Sequence, residues 1–212
     1  MYSGGYDETV KIWDIRSSSD YQRDFNHQSP VTCVALHPNQ GELISGDQDG
    51  RIVRWDLREN QCTEHLIPEL DTAVRSIAIS SDARLLAAVN SKGNCYIWQL
   101  NGSDLCPLKM IEVHQPAYAL TCAFSPDVSK LVTTSSDRTA KIWDVTADFE
   151  LGLELTGHQM WVWDAAFSAD SSLLVTASSD TTARIWDTTD GNCVQELKGH
   201  QRAVTAVALS DA

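Results

Sequence analysis

Three segments of this chain each carry a histidine, a hydroxyl side chain, an aspartate and a tryptophan, in that order. The three sets are His27, Ser45, Asp49 and Trp55; His114, Thr133, Asp137 and Trp143; and His158, Thr176, Asp180 and Trp186. A converging hydroxyl, imidazole and carboxylate would suit nucleophilic hydrolysis, because the histidine can take the hydroxyl proton while the carboxylate orients the imidazole. An active site is needed once, whereas this set recurs. Recurrence favours a buried polar network that satisfies turn backbone and fixes strand geometry.

A sequence repeat predicts the β-strands that position these sets. The repeating tryptophans are separated by 42, 43, 45 and 43 residues and are Trp13, Trp55, Trp98, Trp143 and Trp186. Each interval holds short apolar runs, such as Val31–Leu36 and Leu173–Ser178, separated by turn residues. This period matches a four-stranded blade, and because one blade cannot cover both of its faces, blades must stack. The sequence therefore predicts an all-β fold, a β-propeller stabilised by burial between blades.

The repeats resemble the WD-repeat family. The resemblance rests on the Trp-Asp pairs and on Gly157-His158 and Gly199-His200 ahead of the next strand. It implies that in each of the three sets the histidine, hydroxyl and aspartate form a hydrogen-bonded network with the indole N–H. If the tail of the chain completes the first blade, His200 would meet Ser3, Asp7 and Trp13 as a fourth set.

One repeat departs from this pattern. At the equivalent positions it has Asp71, Ala88 and Lys92, and Gln99 follows Trp98. We expect this blade to lack the network, to be held by apolar packing alone and to open most readily.

The strand count predicts a single, partial domain over residues 1–212. With strands lettered a to d outward from the axis, residues 1–26 supply strands b, c and d of one blade, residues 27–199 supply four complete repeats, and residues 200–212 supply a closing a-strand. Four complete blades and one split blade make five, whereas the family resemblance implies seven. We expect about two repeats to be missing, from a protein of roughly 300 residues at about 43 residues per blade.

The expected binding face lies at the starts of the a-strands and at the b–c turns. Trp161 and Trp163 fall outside the Trp-Asp register, and large aromatic side chains at an exposed rim are typical of interface hot spots. The other candidate protein-binding residues, by the same alignment, are Tyr118, Arg75, Gln48 and Tyr6, with Ser136 and Ser179 expected as ordinary turn residues. The alternatives are that Trp163 plugs the central channel and that the rest are solvated loop positions.

Composition and net charge argue against several classes of binding partner. The net charge of -13 and the dispersed Lys and Arg argue against nucleic acid. No apolar run is long enough to span a membrane, and no secretory signal follows Met1, which predicts a soluble, cytoplasmic protein. The six cysteines show no CxxC pair and no zinc-ligand spacing, so we expect free thiols, no metal, no cofactor and no small-molecule substrate.

Several stretches outside the repeat consensus resemble the Lst-eight, or G-protein-β-subunit-like, family of subunits of target-of-rapamycin (TOR) kinase complexes. They include Met1-Tyr2-Ser3-Gly4-Gly5, Leu36-His37-Pro38-Asn39-Gln40, His65-Leu66-Ile67-Pro68-Glu69 and Val89-Asn90-Ser91. The resemblance implies a non-catalytic scaffold that binds a TOR-type Ser/Thr kinase and its complex subunits, at endomembranes through the complex, in growth and nutrient signalling. It also matches Trp161-Val162-Trp163 to a Trp-x-Trp element on the kinase-facing side.

Two other functions remain as alternatives. The chain could be a different WD-repeat adaptor, such as a ubiquitin-ligase substrate receptor or a peptide reader, which a phosphopeptide or histone-tail array would reveal. An enzyme is the weaker alternative, because the sequence shows neither a metal cluster nor a phosphate-cradling glycine loop.

Overall fold

The computed structural model describes residues 1–14, 23–102 and 104–210. Their regular structure is entirely β-strand, which confirms the all-β prediction. Residues 15–22, part of the predicted first blade, and residues 211–212, the end of the predicted closing strand, lie outside this description. The chain divides into two compact units, Met1–Ile77 and Ala78–Ala212.

The first unit contains two antiparallel meanders. One is the sheet β1-β2-β3 and the other is the sheet β4-β5-β6-β7. Their strands are β1 (Tyr2–Gly4), β2 (Thr9–Ile12), β3 (Arg23–Asn26), β4 (Val31–Leu36), β5 (Glu42–Asp47), β6 (Ile52–Asp56) and β7 (Gln61–Leu66).

Three further four-stranded meanders follow, and the boundary between the units falls within the first strand, β8. Their orders are β8-β9-β10-β11, β12-β13-β14-β15 and β16-β17-β18-β19. The strands are β8 (Val74–Ile79), β9 (Leu85–Asn90), β10 (Asn94–Asn101), β11 (Asp104–Glu112), β12 (Ala119–Phe124), β13 (Lys130–Ser135), β14 (Ala140–Asp144), β15 (Glu150–Leu155), β16 (Val162–Phe167), β17 (Leu173–Ser178), β18 (Ala183–Asp187) and β19 (Cys193–Leu197). A meander for each tryptophan interval confirms the predicted blades.

Burial changes across each sheet. The second strands β5, β9, β13 and β17 are buried along almost their whole length, because both of their faces are covered. The outer strands β15 and β19 are mostly exposed. The second strand therefore anchors each blade, and the outer strand carries its edge.

Apolar side chains of adjacent sheets pack together within each unit. In the first unit, Val10 and Phe25 of the first sheet join Leu43, Val53 and Trp55 of the second. In the second unit, equivalent clusters link the β8–β11 sheet to the β12–β15 sheet, and the latter to the β16–β19 sheet. This inter-sheet burial is the source of stability that stacked blades require.

A β-bulge recurs opposite four of the five repeat tryptophans. The register between the third and outer strands shifts between Arg54 and Trp55, Ile97 and Trp98, Ile142 and Trp143, and Ile185 and Trp186. An extra residue on one strand bends it and changes the face to which later side chains point. The bulge therefore determines which side chains of the outer strand lie on the same face and can contact each other.

The described part of the predicted closing segment makes two hydrogen bonds to the β16–β19 sheet. Residues 203–210, all of them described, carry no strand assignment. The Val204 amide donates to the Ser178 carbonyl at 3.0 Å, and the Val207 amide donates to the Asp164 carboxylate at 3.0 Å. One of these two bonds ends on a side chain, so a ladder is not established. Pairing of this segment with β1 stays a prediction.

Candidate protein-binding surface

The third histidine set forms a continuous hydrogen-bonded chain. The Trp186 indole N–H donates to Thr176 Oγ1 at 2.8 Å, Thr176 Oγ1 lies 2.8 Å from His158 Nε2, and His158 Nδ1 lies 2.8 Å from Asp180 Oδ2. An indole can only donate, so the hydroxyl accepts from it and donates to Nε2, which leaves the Nδ1 proton to the carboxylate. The same chain in the preceding sheet has distances of 3.0, 2.9 and 2.8 Å and runs through Trp143, Thr133, His114 and Asp137.

This arrangement is structural and not hydrolytic. The Thr176 side chain is completely buried, and both of its hydrogen-bonding functions are occupied. Burial lowers the pKa of His158 against the opposing hydrogen bond to Asp180, so the imidazole is neutral at pH 7. Burial acts to raise the pKa of Asp180, but hydrogen bonds from Thr182, Gln159 and His158 hold it well below its ordinary value. A nucleophile must be reachable by substrate, and this hydroxyl is not.

The first set differs from the prediction in its acid. His27 Nε2 lies 2.6 Å from Ser45 Oγ, which also accepts the Trp55 indole N–H at 2.7 Å. The carboxylate facing His27 Nδ1, at 3.3 Å, belongs to Asp47 and not to the predicted Asp49. The structure therefore corrects this assignment.

The reason lies in the end of strand β5. Asp47 is its last residue, and one carboxylate oxygen accepts the amides of Asp49 at 3.0 Å and Arg51 at 2.9 Å. In the β13 and β17 sheets this strand end is a serine, Ser135 or Ser178, too short to reach the histidine as well. The aspartate two residues later takes that place there. Asp49 instead lies half-exposed beside Arg51, at 3.6 Å.

We predicted that the divergent sheet is held by apolar packing alone, and this prediction is wrong. Ala88 is buried at the hydroxyl position, so the tryptophan–hydroxyl–histidine chain is replaced. Buried Asn90 accepts the amides of Lys92 and Asn94 at 3.0 Å each, and Gln115 donates to the Asn94 side chain at 2.5 Å. The side chain of Asn90, at the end of β9, therefore stabilises the following turn in the same way as Asp47 stabilises the turn after β5.

Three aromatic rings of the second unit meet at the starts of two neighbouring first strands. We call Tyr118, Trp161 and Trp163 the aromatic surface. The Tyr118 and Trp161 rings meet edge to face at a centroid distance of 6.1 Å and an angle of 82°, and the rings of Trp161 and Trp163 lie 5.3 Å apart. Tyr118 is 44% and Trp161 39% exposed, whereas Trp163 is partly buried beneath them. Aromatic groups so placed offer a large apolar contact area with little side-chain entropy to lose.

Local irregularity in β16 places Trp163 in this cluster. The register of β16 against β17 shifts between Val162 and Asp164, so Trp163 is the bulged residue. Its indole N–H donates to Ser179 Oγ at 2.6 Å, and the Ser179 amide donates to the Trp161 carbonyl at 2.9 Å. Ser179 therefore fixes both tryptophans and is more than the ordinary turn residue expected from the sequence.

The same turn-to-strand bond recurs at two other candidate positions, Tyr118 and Gln48. The amide of Ser136 donates to the Tyr118 carbonyl at 3.1 Å, and the amide of Gln48 donates to the Pro30 carbonyl at 2.9 Å. Within its own sheet, each of these aligned positions therefore makes the same local hydrogen bond. Tyr6, Gln48 and Arg75 are exposed residues of the first unit, and Tyr6 is 82% exposed.

Sequence reasoning missed one neighbour of the aromatic surface, Met160, and gave another, Ser179, too small a role. Met160, directly before Trp161, is 51% exposed and extends the apolar character of this surface. Ser179 was identifiable only from the bulge at Trp163, which the sequence does not show.

Two structural searches concern sites of other kinds. Within the described residues, no group of three or more His, Cys, Asp or Glu side chains is arranged to hold a metal ion. In the same part of the chain there is no helix whose length and hydropathy would allow it to cross a membrane.

Four-stranded sheets, the tryptophan period and the histidine networks together define the class of WD-repeat proteins. The family model described as WD domain, G-beta repeat matches residues 20–56, 60–99, 105–144 and 149–187. This confirms the resemblance seen in the sequence.

Comparison with individual proteins places the chain in one family within this class. Target of rapamycin complex subunit LST8 of Mus musculus is 49% identical over all of this chain and 68% of its own length. Target of rapamycin complex subunit wat1 of Schizosaccharomyces pombe is 50% identical over 97% of this chain and 66% of its own length. LST8 of Saccharomyces cerevisiae is 47% identical over all of this chain and 70% of its own length. The chain belongs to the LST8 family and spans about two thirds of the length of these relatives.

Proposed function

We propose that this chain is a non-catalytic subunit of a target of rapamycin complex, and that the aromatic surface binds the kinase of that complex. Two lines of support differ in kind. Relatives named as subunits of this complex are similar over the whole chain. The described residues also present an exposed aromatic cluster that the repeat itself does not require.

The aromatic surface is suited to a protein partner because of how it is held. Trp161 and Tyr118 project from first strands whose starts are each tied to a turn by a backbone hydrogen bond. Trp163 beneath them is fixed by its bond to Ser179. A rigid aromatic anchor loses little conformational entropy on binding, and Trp and Tyr are the residues most enriched in hot spots. The single observation that carries the proposal is this ordered, exposed cluster in a chain of the LST8 family.

Co-purification tests the proposal. The chain is expressed in cells with an affinity tag, and the recovered TOR kinase is quantified. Trp161→Ala combined with Tyr118→Ala should lower kinase recovery about tenfold or more, since loss of hot-spot residues costs at least 2 kcal/mol. The same loss is expected for Trp161→Ala with Trp163→Ala. Trp161→Ala with Tyr118→Ala is preferred because neither residue is buried.

The matched control is Met110→Ala. Met110 is also about half-exposed, but it lies on the outer strand β11, away from the first-strand starts. It should leave kinase recovery unchanged. Unchanged recovery by folded Trp161→Ala with Tyr118→Ala would exclude the aromatic surface, and capture of modified peptides in place of the kinase would favour a peptide reader.

A further inference from the structure

The bulge in β7 brings a thiol and an imidazole together. Trp55 lies opposite Cys62 and Arg54 lies opposite Glu64, so Thr63 is the extra residue. Residues three apart on a regular strand point to opposite faces, but an inserted residue reverses this. Cys62 Sγ accordingly lies 3.1 Å from His65 Nε2.

This pair opens into a cavity of the first unit. The cavity has a volume of about 530 Å³, and its walls include Trp55, Cys62, His65, Ile67 and Arg51. That volume admits a small molecule. Cys62 is partly exposed and makes no disulfide, so a reagent entering the cavity can reach the sulfur.

Among the described residues that line the cavity, Arg51 carries a charged side chain. Arg51 Nη1 is buried without a hydrogen-bond partner among the described residues and lies 3.6 Å from Asp49 and 4.0 Å from Asp47. His27 also lines the wall, but its two ring nitrogens face Ser45 and Asp47. His65 is therefore the imidazole in contact with the Cys62 thiol.

Other cysteines contrast with Cys62. Burial raises the pKa of Cys33 to about 12 and that of Cys95 well above its ordinary value, which keeps both as inert thiols. Cys62 instead has a base within hydrogen-bond reach. The thiolate is the reactive form of cysteine, and an adjacent imidazole produces it by taking the proton.

We propose that Cys62 is a nucleophilic thiol activated by His65 and is a site of reversible oxidation by hydrogen peroxide. The thiol proton moves to His65 Nε2, and the thiolate attacks one oxygen of the peroxide. The O–O bond breaks, an S–O bond forms, and the sulfur loses two electrons to become sulfenic acid. The departing hydroxide takes the proton from the imidazolium and leaves as water, which restores neutral His65.

The chain contains a matched control for this site. Cys193 occupies the equivalent place on β19, opposite Trp186, and the register shifts there by one residue in the same way. Cys193 is exposed, and therefore more accessible than the partly exposed Cys62, but Glu196 stands where β7 has His65. The two thiols differ in the neighbouring base.

The test measures sulfenic acid at each cysteine. The reduced 212-residue chain is treated with substoichiometric hydrogen peroxide and dimedone, and labelling rates at Cys62 and Cys193 are compared by peptide mass spectrometry. We expect Cys62 to react about tenfold faster or more, since general-base assistance contributes at least that much. The Cys62 rate should also persist to lower pH than the Cys193 rate.

His65→Gln should reduce the Cys62 rate to that of Cys193 while leaving the Cys193 rate unchanged. A purely structural role of His65 would not move this ratio. Equal rates at the two cysteines in the unmodified sequence would overturn the proposal without any variant, so it can be decided even if His65→Gln fails to fold. A fast Cys62 rate that survives in folded His65→Gln would overturn the role of His65.

Discussion

Trp163 donates its indole N–H to the hydroxyl of Ser179 at 2.6 Å, so the partly buried ring of the aromatic surface is held by the turn of its own sheet. The turn also fixes Trp161, because the Ser179 amide donates to the Trp161 carbonyl at 2.9 Å. A small polar residue thus orders a large apolar contact area.

Replacing Ser179 by alanine should weaken both stability and binding. The Trp163 indole would lose its acceptor, which costs about 1 to 2 kcal/mol in the free energy of unfolding. Urea denaturation measures this loss, and kinase recovery should fall with it. Ser179→Thr retains a hydroxyl and should restore most of both. An alanine variant as stable as the starting chain would show that this bond contributes nothing.

The acid of the first histidine network can be identified by mutation. Asp47→Ala removes a completely buried carboxylate that accepts two backbone amides and faces His27, and it should cost about 3 kcal/mol of unfolding free energy. Asp49→Ala removes a half-exposed carboxylate and should cost about 0.5 kcal/mol or less. Denaturation of the two variants side by side compares them, and the reverse order would restore the original assignment to Asp49.

The divergent sheet depends on Asn90. Asn90→Ala would leave the buried turn amide of Asn94 and the partly buried turn amide of Lys92 without their acceptor, and it should cost about 2 kcal/mol. Hydrogen exchange should quicken first at these two amides and in β9 and β10. Asn101, on the same sheet but exposed, supplies the control variant Asn101→Ala. Exchange that stays slow throughout this sheet in Asn90→Ala would contradict the assigned role.

Stability should fall as the pH drops below neutrality. Burial lowers the pKa of His158 below its ordinary value of 6.5, so the unfolded chain binds a proton more readily there than the folded chain. The stabilising contribution of neutral His158 is therefore complete above pH 6.5 and is lost as the pH falls towards its folded-state pKa. Urea midpoints at pH 7.5 and 5.5 measure the effect, and His158→Gln should show a smaller difference between them.

Asp137 adds a separate loss at more acidic pH. Burial acts to raise its pKa, but hydrogen bonds from His114 and Thr139 hold it at about 2, below the ordinary 3.8. Its contribution is present above pH 3.8 and disappears as the pH falls towards 2. Asp137→Asn should flatten the stability profile in that range only.

The tryptophan period was enough to predict the meanders, because each repeat needs one apolar face for each neighbour. The hydroxyl–histidine–tryptophan chains were predicted from the resemblance to the WD-repeat family, in which their partners occupy fixed places on adjacent strands. Asp47 could not be told from Asp49 in this way. Both carry a carboxylate at the same turn, and the choice depends on which one ends β5 and is buried. Local backbone geometry, and not residue type, decides such cases.

Two features of strand pairing could not be read from the sequence: whether the predicted closing strand finds its partner, and the contact between Cys62 and His65. Residues 203–209 have the composition of a first strand, yet pairing needs a partner edge that composition does not supply. The period of two of a regular strand places Cys62 and His65 on opposite faces of the sheet. The extra residue Thr63 brings them to the same face. Register shifts are features of pairing between strands, so one strand read alone does not reveal them.

The extra residue in the outer strand of each four-stranded sheet also governs how the chain tolerates small changes in length. Removing one codon at Thr63 would not merely shorten β7; it would rotate His65 and the residues after it to the other side of the sheet. The same holds at Leu108, Gly152 and Val194, the counterparts in the other sheets. Single-residue deletions in these outer strands would therefore move the side chains that follow to the opposite face of the sheet. Deletions in the connecting turns would leave the faces of the strand residues unchanged.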